Sequence, residues 1–273
     1  MCLKAQWNDT EDDFTRLEEK IKEKERESKP LTDKEKERIE LELDIIKKTN
    51  TASVFLLYYD IMLYLKDLGA VFHGIMHCSY FCYLLGLTKV NPLDYDLPFE
   101  RFFHEKKRCF PLINIAVPFG MQEKAAAILS QCKPKFEYRL EEVGIKEYRH
   151  FTEEEIYQKT LDYFTWRGIS LGRRYQGEKQ AEKIFSKTDG RYIYQEQFFD
   201  ICAQILGVSN KRADEFRRKL AFRKKEDRDA IKQFFCWKLD EEGAGLFDYI
   251  YFGHIYVVSK AYRIGLLFLD FTI

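Results

Sequence analysis

Between Pro111 and Pro118 lies Leu-Ile-Asn-Ile-Ala-Val, a run rich in β-branched side chains. Proline cannot donate to a sheet ladder, so the two prolines bound the strand that this run predicts. Side chains alternate along a strand, which puts Leu112, Asn114 and Ala116 on one face. Ahead of the strand stand an apolar helix-like run, YFCYLLGL, a turn, NPLDYD, the segment LPFERFF and a basic cluster, HEKKR. A chain with this order must fold helices against a short buried strand.

With 273 residues there is material for one large domain or two small ones. A content of 45% hydrophobic and 16% aromatic residues excludes global disorder. Lys+Arg and Asp+Glu are both 45, so overall charge favours no polyanionic partner and only local clusters inform. Seven cysteines without framework spacing suit free thiols in a reducing cytoplasm. The N-terminal MCLKAQWNDTEDDF is polar and acidic, unlike a signal peptide. The closing IYVVSKAYRIGLLFLDFTI is interrupted by Lys260, Arg263 and Asp270, which argues against a membrane partner.

Along the chain, Phe14, Leu17 and Ile21 predict a solvated helix with one narrow apolar stripe. Thr32-Asp33-Lys34-Glu35 offers a capping box to a second helix, with Ile39, Leu43 and Ile46 on its buried side. Residues 52–68 are apolar almost all round, with Gly69 as C-cap; Asp60, their one mid-helix charge, reads as a surface notch or a hydrogen-bonded carboxylate. His73 and His77, like Cys78 and Cys82, are four apart. The two pairs project about a hundred degrees apart on a helix, so buried thiols and a satisfied histidine outweigh a zinc site. From Lys211 to Lys232 there are ten Lys/Arg and five Asp/Glu, a local net of +5. Such a stretch is a basic solvated helix or a phosphate-binding face.

LLGLTKVNPLDYDLPFERFF resembles the palm region of the alpha subunit of bacterial DNA polymerase III, the family C polymerases. TDGRYIYQEQFFDICAQILGVSNKRADEFRRKLAFRKKED is similar to the fingers of the same family, with Tyr194-Gln195-Glu196-Gln197 and Ala213-Asp214-x-x-Arg217-Arg218 in register. RIELELDII and the stretch around Ser259-Lys260 support it, and the resemblance covers roughly two-thirds of the chain, at about 36–119, 165–225 and 245–268. No counterpart of the family's PHP, OB or β-binding segments is recognisable.

The resemblance implies a mainly helical α+β fold. It comprises charged N-terminal helices over 1–50, a reduced palm remnant over 51–120, a shortened connector over 121–187 and a helical fingers-like region over 188–273. It also implies where chemistry is missing. The family's strand carries Pro-Asp-x-Asp, whereas Leu112 and Asn114 hold those positions here. Leucine has no donor atom and asparagine offers one neutral carbonyl, so Mg²⁺ is expected only if other carboxylates have relocated. Asp162 is one candidate remnant of the third aspartate; the same segment can instead be matched at Arg167-Gly168 to an Arg-Pro-Gly-Pro element. Gly74 and Ser79 are what remains of a glycine-rich phosphate loop, and Lys260 replaces a nucleotide-contacting histidine.

The expectation is a catalytically inactive polymerase-like chain. It keeps a surface for nucleic acid or nucleotide phosphate at Arg217, Arg218, Lys224, Lys225 and Lys260, beside the fingers motif residues Gln195 and Glu196. Two other readings stand beside it: a protein-interaction module without a nucleic-acid role, and an active polymerase with relocated carboxylates.

Overall fold

The computed structural model describes residues 9–27, 29–107, 112–132, 138–146 and 149–270. Arg108 of the basic cluster, and Pro111, which bounds the expected strand, lie outside the described residues. The chain divides into two compact units, residues 1–150 with 264–273, and residues 151–263. The N-terminal helices, the palm-like segment and the first part of the connector therefore share one unit; the rest of the connector joins most of the fingers-like segment in the other.

The first unit opens with α1 (Glu11–Glu27), which buries only Leu17 and Ile21, and α2 (Asp33–Thr49). Thr32 and Glu35 close the expected capping box, and Asn50 ends α2 in the left-handed region. Ile39 and Ile46 are buried as expected, but Leu43 is half-buried and Glu42 takes a fully buried place instead. An apolar stripe cannot announce this, because Glu42 is buried by its hydrogen-bond donors. Helix α3 (Ala52–Leu65) is apolar almost all round; its 3₁₀ extension stops at Gly69 with φ 69°, where a Cβ would lie 3.3 Å from Pro118. Asp60 is exposed on α3.

Next come β1 (Val71–His73), a 3₁₀ turn (Gly74–Cys78), α4 (Tyr80–Leu84), a 3₁₀ turn at Pro92–Tyr95, and α5 (Phe99–Phe102). Phe55 meets Phe81 and Phe102 edge-on in the core, with centroids 6.4 and 6.1 Å away. Strand β2 (Ile113–Val117), α6 (Gln122–Gln131) and β3 (Tyr138–Glu142) form a strand–helix–strand unit. β2 is the centre of a three-stranded sheet, antiparallel to β1 and parallel to β3. The polar stretch after Gln131, read from sequence only as a connector, thus supplies a sheet strand and β4 (Gly144–Ile145), which pairs with β5 (Leu269–Asp270).

The second unit holds α7 (Glu153–Trp166), α8 (Lys179–Ser186), α9 (Gln195–Asp200, continuing as a π turn through Ile205), α10 (Asn210–Phe222) and α11 (Lys225–Gly253). The division between the units falls within α12 (Lys260–Leu267). Helix α11 is a hairpin of two arms, because Asp240 has φ 48° and ψ −126°. Lys232 pairs with Asp248 at 2.7 Å and Phe235 meets Phe247 edge-on across the arms. Phe185, Phe198, Phe199, Phe235 and Phe247 anchor this unit's core. The protein is mainly helical with small sheets, an α+β arrangement, and no helix among the described residues is long and apolar enough to cross a membrane.

Candidate nucleic-acid interface

On β2, Asn114 is opposite His73 of β1 and Arg139 of β3, so these three side chains stand on one face of the sheet, two places along from Glu141. Leu112 is partly exposed just before the strand. His73 is fully buried, with Nε2 3.6 Å from Glu141 Oε2; burial and the nearby His77 pull its pKa down to about 3, so it is neutral at ordinary pH. Arg139 Nη1 lies 3.8 Å from Glu141 Oε1. Asn114 is 9% exposed and Ala116 is buried. On the same side, a Cβ on Gly265 would lie 3.4 Å from the Cβ of His73 and 2.6 Å from the ring of His77.

One carboxylate beside an arginine and a neutral histidine does not fit two Mg²⁺ ions, which require several anionic oxygens. Among the described residues no group of three or more His, Cys, Asp or Glu could hold a metal. Glu141 went unnoticed in the sequence because its strand was read as connector; the alternation in Tyr-Arg-Leu-Glu-Glu was the available signal.

Gly74 begins the 3₁₀ turn with φ 82°, and Ser79 caps α4 by accepting from Cys82 N at 3.2 Å. The Ser79 hydroxyl donates to Glu42 Oε2 at 2.8 Å, and the amides of Tyr80 and Phe81 donate to the same carboxylate at 2.7 and 3.1 Å. Arg38 Nε completes the set at 2.8 Å, while its Nη2 donates to the carbonyls of Cys78 and Leu97. The donors at this helix start, which the resemblance assigns to a phosphate, are thus engaged by the chain's own acid. Burial pushes the Glu42 carboxyl up, opposed by Arg38 and the amide and hydroxyl donors.

The fingers motif repeats that device. Gln197 accepts from the amides of Ile193 and Tyr194 at 2.8 and 2.9 Å, fixing the start of α9. Glu196 accepts from Ser259 Oγ at 2.9 Å and from the amides of Lys260 and Ala261 at 2.8 and 3.4 Å, fixing the start of α12. Lys260 is buried, its Nζ 2.6 Å from Glu153 Oε1. Gln195 sits half-buried, its amide donating to Val258 O. Gln195, Glu196 and Lys260 are therefore brought together, around a helix start.

On α10, buried Asp214 holds both arginines: Arg217 through Nε and Nη2 at 3.0 and 2.8 Å, and Arg218 through Nε at 2.8 Å. Arg217 has a side chain only 12% exposed, whereas that of Arg218 is 44% exposed. Lys224 and Lys225 are exposed where α11 begins. His254 donates from Nε2 to Arg217 O at 3.2 Å and accepts from Tyr192 at Nδ1; burial pulls its pKa down to about 4. Asp162 is solvated on α7, contacted by Gln158 and Lys159 one turn away. A cavity of about 500 Å³, announced by no sequence motif, lies among Phe164, Leu171, Arg173, Arg191, Tyr192 and Phe252.

Two family models match in tandem. Residues 14–139 match the bacterial DNA polymerase III alpha NTPase domain, and residues 138–243 match the bacterial DNA polymerase III alpha subunit finger domain. The chain is a bacterial DNA polymerase III alpha-like protein. It is similar to an error-prone DNA polymerase of Cutibacterium acnes, 37% identical over 29% of this chain and 7% of that protein. Similarity extends to the DNA polymerase III subunit alpha of Mycoplasma genitalium, 34% identical over 36% of this chain and 11% of that protein. The same subunit of Bacillus subtilis is 30% identical over 34% of this chain and 9% of that protein. The matched stretches thus span about a tenth or less of these relatives. In this polymerase III alpha-like chain, Leu112, Asn114, Gly74 and Ser79 fall in the first unit, and Arg217, Arg218, Lys224 and Lys225 in the second.

Proposed function

We propose that this protein binds nucleic-acid or nucleotide phosphate through the exposed cations of α10 and the start of α11, and that it does not carry out polymerase chemistry. The palm-like sheet would then be a scaffold and the second unit a fingers-like binder. The observation that carries the first half is the placement of Arg218, Lys224 and Lys225, exposed within a stretch of net charge +5. Guanidinium and ammonium groups at such a surface exchange counterions for phosphates. The second half rests on the uncharged Leu112 and Asn114 and on the one carboxylate of this face, Glu141, which has Arg139 3.8 Å away and the neutral His73 3.6 Å away.

The deciding experiment titrates a labelled primer–template with the protein at several salt concentrations, beside Arg218→Ala/Lys224→Ala/Lys225→Ala. Binding that weakens steeply with salt, with a slope about 2–3 units shallower in the variant, is the expected result. No binding by the wild type at low salt would sink it. Primer extension with Mg²⁺ in the same samples is expected to give no product; extension abolished by Glu141→Gln would instead establish the reading of relocated carboxylates.

A second reading, a protein-interaction module with no nucleic-acid role, draws on Glu42 and Glu196, which engage the two helix starts where the resemblance puts nucleotide contacts. Its signature is wild-type behaviour of the triple variant in every function the protein is found to have.

A further inference from the structure

We propose that Phe222 stacks on a base of single-stranded nucleic acid, with Arg223, Lys224 and Lys225 set against the flanking phosphates. The inference rests on the phosphate-binding reading above and adds the form of the ligand. Phe222 is 78% exposed, the highest value for a large apolar side chain among the described residues. A phenyl ring left in water forgoes the gain of burying its apolar surface. Its position is fixed, since it is the last residue of α10, followed by Arg223 in the left-handed region with φ 54° and its amide on Leu220 O. Glycine would adopt that conformation without strain. Leu220 and Ile231 anchor the two helices in the core, and Lys219 Nζ pairs with Asp227 Oδ1 at 2.8 Å across the elbow.

The cations that follow Phe222 do not serve the helix. Lys224 and Lys225 stand at the N-terminus of α11, where the helix dipole disfavours positive charge. Arg223 lies 5.5 Å over the Tyr251 ring, which holds its guanidinium beside the elbow. Three exposed cations follow Phe222 directly in the chain, so an apolar protein face laid on this elbow would leave their charges desolvated and unpaired. An unstacked base with phosphates on both sides supplies a π face and anions together. In a duplex the base faces are already stacked, so single strands fit better.

The test uses the full chain and a single-stranded deoxyoligonucleotide of about a dozen residues with a central 2-aminopurine. Wild type is expected to quench the fluorophore on binding. Phe222→Ala should abolish quenching and weaken binding about 5- to 150-fold at an unchanged salt slope, and Phe222→Trp should restore both. Lys224→Ala/Lys225→Ala should flatten the slope by about 0.7 per cation and keep the quenching. The same sequence as RNA distinguishes the sources of the strand. Equal binding and quenching by Phe222→Ala overturns the inference and leaves the phosphate reading intact. If wild type binds neither this strand nor primer–template, both fall. Loss of binding to phosphatidylserine vesicles in Phe222→Ala, with strand binding unchanged, would make the elbow a lipid contact instead.

Discussion

The hydroxyl of Ser79 donates to Glu42 Oε2 at 2.8 Å, joining the start of α4 to the middle of α2 through a carboxylate with no exposed surface. Arg38 and two backbone amides share that carboxylate, so its removal orphans four donors at once. Glu42→Ala is expected to lower stability by about 3–5 kcal/mol, the range for breaking a buried pair from one side. Ser79→Ala, which removes one donor and keeps the rest, should cost about 1 kcal/mol. Urea unfolding of the two variants measures both; equal midpoints would refute the buried hub.

Asp214 divides the labour of the two motif arginines. Arg217 is largely buried and doubly bonded to it, while Arg218 makes one bond and keeps much of its guanidinium in water. Arg217→Ala is therefore expected to act on stability, by about 2–4 kcal/mol, because it strips a buried carboxylate of its main partner. Arg218→Ala should cost less, about 1 kcal/mol, because Arg217 still holds Asp214, and should weaken phosphate binding with a shallower salt slope. The reverse pattern, binding lost through Arg217 with stability kept, would contradict this assignment.

How much of this was legible in the sequence depends on which residues supply the signal. Capping boxes at Thr32–Glu35, the apolar circumference of α3 and the left-handed stop at Gly69 are local, and local chemistry fixes them. The strand around Asn114 was readable from its β-branched run, and the missing carboxylates from its residues. Its partner β3 was not readable, because Tyr138–Glu142 is polar enough to resemble a loop and becomes a strand only by pairing with β2. The burial of Glu42, Glu196 and Lys260 was not legible, for one reason. A charged residue in a sequence looks solvated or functional, and only the fold reveals donors 37 or 64 positions away that bury it.

Two neutral histidines, the buried His73 and the half-buried His254, give the stability a definite pH dependence. The pKa values of His254 and His73 are pulled from 6.5 to about 4 and about 3, chiefly by burial. The unfolded chain therefore takes up these protons near pH 6.5 while the folded chain resists. Stability is full above pH 6.5 and is lost as pH falls from there toward 4, by about 3 kcal/mol for His254 alone. Unfolding free energies should be nearly flat above about pH 7 and should fall below about pH 6 with a slope that approaches two protons near pH 5. His254→Gln, which can still donate to Arg217 O and accept from Tyr192, should remove about one of them.

The hairpin in α11 depends on the absence of a side chain at Gly243. A Cβ there would lie 2.3 Å from the carbonyl oxygen of Phe235 on the facing arm, and no rotamer of a flexible side chain can relieve a clash with backbone. In an ordinary helix Gly→Ala gains roughly 1 kcal/mol from helix propensity. Here the arms must separate, which loosens the Phe235–Phe247 contact and the Lys232–Asp248 pair that close them. Gly243→Ala is expected to destabilise by more than about 2 kcal/mol. Gly245→Ala, two positions on and with open space around it, serves as the control and should be neutral or stabilising. If thermal unfolding ranks the two variants in the opposite order, α11 is not folded back at Asp240, and the elbow that presents Phe222 and Lys224 must then be held by something other than this hairpin.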